Sequence, residues 1–79
     1  MTTITRELLI CIDAYKAAIP VLWPGAKVMV GVRGWEDPAP VWDITFRTGA
    51  KFEGTDHNDV FERAKLYAQG VKNLIGEYP

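Results

Sequence analysis

His57 is the only imidazole and Cys11 the only thiol in a chain of 79 residues, and together they are the one pairing that could give a nucleophile its base. The chain has no serine, which removes the serine nucleophile and its triad. Cys11 falls on the apolar stripe of a helical pattern, where a cysteine packs as a small hydrophobe, and core packing is its expected role. The run Thr55-Asp56-His57-Asn58-Asp59 gathers one imidazole and two carboxylates, a set that could in principle ligate a divalent cation. Its spacing fits no metal loop, and Asp and Asn are also what a helix N-terminus selects for capping and dipole reasons. One cysteine allows neither an intrachain disulfide nor a multi-cysteine zinc site. The glycines are scattered singly, so no phosphate cradle forms, and no two carboxylates stand out as an acid/base couple. The expectation is no catalytic residue, no metal and no cofactor, hence no enzymatic activity.

Binding is the chemistry that remains. From Arg33 to Glu62 the acids Glu36, Asp37, Asp43, Glu53, Asp56, Asp59 and Glu62 face only the bases Arg33, Arg47 and Lys51. The whole chain carries a formal charge of −1, which gives it no global pull on a phosphate backbone. Trp35 sits among Gly, Pro and acids, outside both strand alternations. A rigid aromatic with a polar rim is what anchors protein interfaces. Trp35, Glu36, Asp37, Asp56, Asp59 and Glu62 are therefore the expected partner-binding residues. The competing set is Lys27, Arg33, Arg47 and Lys51, which the strand patterns place on one open sheet face where they could meet nucleic acid.

The elements that must position these residues are legible in the periodicity. Thr5 can cap a helix whose stripe runs Ile4, Leu8, Cys11, Ile12, Tyr15 and Ile19. Pro20 predicts an end near Ala18, and Pro24-Gly25 a reversal by Ala26. Val28, Val30 and Val32 alternate with Lys27, Met29, Gly31 and Arg33, and Trp42, Ile44 and Phe46 with Val41, Asp43, Thr45 and Arg47, each a half-buried strand. Residues 34–40 form a long loop. Thr48-Gly49 turns the chain into a third strand with Ala50 and Phe52 inward. Asp56 or Thr55 caps a second helix with the stripe Val60, Ala64, Tyr67, Ala68, Val71, Leu74 and Ile75, which Gly76 ends. Gly70 within it is expected to mark close approach of another backbone. On the outer sheet face, Met29 and Val41 are expected to leave an apolar strip that a partner or a dimer mate could cover. The prediction is a single α+β domain over residues 1–79, ordered α-β-β-β-α, with a three-stranded antiparallel meander and both helices on its one apolar face. A chain this short exposes much of its surface, so a homodimer is a live expectation. Arg6, Glu7 and Asp13 interrupt the first apolar run, which fits neither a signal peptide nor a membrane span and predicts a cytoplasmic protein.

This order of elements, with the rhythm of VWDITFRTGAKFEGTDHNDVFERAKLYAQGVKNLI, resembles the double-stranded-RNA-binding domain. That resemblance implies RNA contacts through helix one, the first hairpin loop and a lysine-rich start to the last helix. Here the loop holds Glu36 and Asp37, and the last helix opens on Asp56, His57, Asn58 and Asp59, so the fold is implied while phosphate binding is opposed. Phe52-Glu53-Gly54-Thr55 is similar to the junction between meander and helix in small antitoxins, which implies an antitoxin-like regulator. In its size, single α+β domain and lack of enzymatic motifs, the chain also resembles small anti-CRISPR proteins of phages and mobile elements. That resemblance implies a protein inhibitor that covers a functional surface of a CRISPR effector and blocks its target DNA binding.

Overall fold

The computed structural model describes residues 3–34 and 38–79, and side chains from residue 10 onward. Its elements are α1 (Thr3–Leu22), β1 (Val28–Arg33), β2 (Val41–Phe46), β3 (Lys51–Gly54) and α2 (His57–Ile75). The three strands form one antiparallel sheet in the order β1-β2-β3, with Val30 opposite Ile44 and Ile44 opposite Phe52. This is the predicted α+β architecture in the predicted order. Among the described residues no helix is long and apolar enough to cross a membrane.

Period-two alternation sets the sheet's two faces. Trp42, Ile44 and Phe46 are buried while Val41, Asp43 and Thr45 between them are not. Ile19 and Trp23 from α1 and Val60, Ala64 and Ala68 from α2 complete one core with them. Rings bind the layers together. Trp23 stacks on Phe61 at 5.4 Å and meets Phe46 at 5.6 Å, and Tyr67 meets Phe46 at 5.0 Å and Phe52 at 5.5 Å. Such pairs add to the stabilisation from burial alone. Ala64 and Ala68 have no exposed surface, and their small side chains let α2 lie close on the sheet. The glycine that close approach demands is Gly54, where an added Cβ would lie 3.1 Å from Val60 Cγ2 and 3.2 Å from an Arg63 nitrogen.

Five sequence expectations are corrected. α1 already includes Thr5, so Thr5 is inside the helix and not its cap, and α1 continues through Pro20 to Leu22. Proline in a helix interior costs about 3 kcal/mol. Here burial of Ile19 and Trp23 on either side offsets it, and Trp23 N–H donates to Ile19 C=O at 2.8 Å. Leu74 and Ile75 lie on the α2 stripe yet are exposed, Leu74 by 86%. Nineteen helical residues span about 28 Å, whereas the six residues of β2 span about 20 Å, so the last turn of α2 overshoots its sheet. Gly70 has nothing within 4 Å of where its Cβ would stand, so no backbone approaches it. Finally, Met29 and Val41 do not form a continuous apolar strip, because the Asp43 carboxylate lies across Gly31 on the rung between them.

Asp56 caps α2, its carboxylate accepting from Asn58 N–H at 3.0 Å, and Gly76 closes it with an N–H donated to Lys72 C=O at 2.8 Å. Because Gly70 is helical, solvent-facing and unobstructed, Gly70→Ala is expected to raise stability by about 1 kcal/mol. A urea titration followed by circular dichroism, showing a higher midpoint at unchanged slope, checks this.

Candidate functional site

Three of the expected partner-binding residues, Trp35, Glu36 and Asp37, lie outside the described residues. The other three, Asp56, Asp59 and Glu62, are all exposed. Their spacing of three places them on one face over the N-cap and first turns of α2, away from the stripe Val60, Ala64 and Ala68 that enters the core. Their charges are not equally free. Asp59 is paired with Arg63 at 3.1 Å, one helical turn on, and Asp56 is engaged as the cap. Among the described residues Glu62 has no cationic partner. Arg63, which sequence reasoning left out of this surface, also donates to the Glu53 carbonyl, tying α2 to the end of β3. Its Glu/Asp-to-Arg spacing of four was the available signal.

The alternative set divides in two. Arg33 and Lys51 flank Glu53 on the outer sheet face, Arg33 forming an ion pair with its carboxylate and Lys51 standing 3.8 Å from it. Glu53 thus holds cations from both edge strands across the top of β2. Lys27 and Arg47 have no ion pair among the described residues. They sit side by side at the sheet's end, Arg47 N–H donating to Lys27 C=O at 3.1 Å. With Ala26, Val28, Met29, Thr45 and Phe46 they line an open groove of about 370 Å³.

The one possible nucleophile–base pairing, Cys11 with His57, is replaced at the imidazole by Tyr15. Tyr15 Oη lies 2.6 Å from His57 Nδ1, and the imidazole also packs on Trp42 at 5.0 Å. The phenol is held above its ordinary pKa, first by burial and then by the negative charge that Cys11 and Asp56 can carry. The hydroxyl and Nδ1 thus share one hydrogen bond, whose direction follows the imidazole tautomer. Cys11 is half-buried against the core, and among the described residues it makes no hydrogen bond with His57. The pair links α1 to the first turn of α2, a junction that no periodicity argument reveals. Among the described residues no group of three or more His, Cys, Asp or Glu side chains is arranged to hold a metal ion.

Compared with known proteins, the chain matches no family model, no curated protein and no solved structure.

Proposed function

We propose that this chain is a non-enzymatic, cytoplasmic protein-binding inhibitor of the anti-CRISPR type, carried by a phage or mobile element. In this reading it lays its acidic α2 surface on the basic channel through which a CRISPR effector holds target DNA. The observation that carries it is the alignment of Asp56, Asp59 and Glu62 on the solvent side of α2, all exposed and, among the described residues, ion-paired only through Asp59 with Arg63. Exposed carboxylates of one sign steer a protein toward a basic partner and repel nucleic acid. Trp35, Glu36 and Asp37 enter this reading from the sequence alone, as an aromatic anchor with an acidic rim.

The test combines Asp56→Asn, which keeps the cap while removing its charge, with Asp59→Lys and Glu62→Lys. The wild-type chain is expected to suppress DNA binding by a purified effector, and the triple variant to need at least about tenfold more protein for the same suppression. Unchanged suppression by a folded triple variant would discard the acidic surface.

A nucleic-acid-binding role is the second reading, and the unpaired Lys27 and Arg47 beside their groove are what favour it. The engagement of Arg33 and Lys51 by Glu53 weighs the other way. Gel shifts on RNA and DNA duplexes at low salt separate the two readings, since phosphate-driven binding is strongest there.

A further inference from the structure

We propose that two copies of this chain join edge to edge along β1, making one six-stranded antiparallel sheet with all four helices on the same side. The argument starts from one hydrogen bond. Arg47 N–H reaches Lys27 C=O at 3.1 Å, so these two residues form a hydrogen-bonded pair of the antiparallel ladder. Such pairs alternate along a strand. The registered pairs Met29–Thr45, Gly31–Asp43 and Arg33–Val41 are therefore bonded too, and the N–H and C=O groups of Val28, Val30 and Val32 point away from β2. Among the described residues they have no backbone partner.

An edge strand of this length is normally blunted by a charge, a proline or a bulge. β3 follows that rule, being four residues long with Lys51 and Glu53 on it. β1 carries its one charge at its last residue, Arg33, and the stretch Val28-Met29-Val30-Gly31-Val32 before it holds neither charge nor proline. Its pattern also fits itself. With a two-fold axis through Val30, Val30 meets its own copy and Val28 meets Val32, so all the outward amides pair. Met29, exposed by 74%, then stands beside Gly31, where no side chain opposes it. The end rung brings Lys27 of one copy beside Arg33 of the other, whose charge is already held from its far side by Glu53 of β3.

A second, independent feature obeys the same axis. Tyr15 packs at the level of Trp42 and Trp23 at that of Phe46, which puts Ile19 of α1 level with Ile44 and hence with Val30. Ala17 and Val21 flank Ile19 and are both exposed, Val21 by 78%. The axis brings Ala17 of one copy level with Val21 of the other, on the side of α1 away from Ile19.

The seam uses no residue of the acidic surface, so oligomeric state and inhibition report separately on the two proposals. Sedimentation velocity of the full chain, from low micromolar to several hundred micromolar, should show a monomer–dimer equilibrium. Val30→Pro removes an outward donor but no bond to β2, and is expected to weaken the dimer at least about tenfold. A chain monomeric throughout, or a dimer indifferent to Val30→Pro, overturns the proposal. Should that variant fail to fold, hydrogen exchange on the wild type decides. Protection at Val28, Val30 and Val32 that falls on dilution supports the seam, and fast exchange at the highest concentration rejects it.

Discussion

Truncating Phe46 to alanine should leave a chain that is no longer reliably folded at physiological temperature. Phe46 is 1% exposed and touches rings from three other elements: Trp23 following α1, Phe52 on β3 and Tyr67 on α2. Phe→Ala in a core costs about 3 to 5 kcal/mol, and a domain of this length has roughly 4 to 12 kcal/mol in total. Collapse around the vacancy is limited because two of the lost partners are themselves large rings on different layers. The expected result is a thermal midpoint lower by more than about 15 °C, read by far-ultraviolet circular dichroism. A shift of only a few degrees would mean that the layers are not joined through this ring.

Trp23→Ala is the second large effect, and it should differ in kind. Trp23 is 4% exposed and lies just beyond α1, stacked on Phe61. Apart from Tyr15, which packs on Trp42 and Phe61 and bonds His57, it is the principal aromatic hold on α1 among the described residues, since the α1 backbone runs closest to β1 while α2 spans both β2 and β3. Its loss also leaves Pro20 without the burial that offsets its cost in α1. The cost is again about 3 to 5 kcal/mol, but it is expected to fall on one element first. Helical ellipticity should decline at moderate temperature while the β2 amides that pair with β1 and β3 remain protected from hydrogen exchange. Simultaneous loss of both signals would show that α1 and the sheet unfold as one unit.

How much of this was readable from the chain follows from the range of each interaction. The valines of β1 and the aromatics of β2 repeat every second residue, so their faces are local facts, as are the Asp56 cap and the Gly76 stop. The overshoot of α2 was not local, because Leu74 and Ile75 keep perfect helical spacing and are exposed only by the shortness of the strands beneath them. Pro20 misled for the opposite reason: its local cost is real, but the burial of Trp23 overrides it. Extending the stripe from Ile19 by four residues would have found that tryptophan. On the candidate surface, the common face of Asp56, Asp59 and Glu62 could be read from spacing alone. The Arg33–Glu53 pair and the Tyr15–His57 bond could not, since each joins residues brought together only by sheet register or by helix docking. The free valine edge likewise needs the register before it can be seen.

The placement of the buried indoles has a practical corollary. Trp42 stands 5.0 Å from an imidazole at the start of α2, and Trp23 stacks on a phenyl ring at the opposite end of the core. Two of the three tryptophans therefore serve as native optical probes of the aromatic interior, one at each end, and a Trp→Phe change at either isolates the signal of the other end.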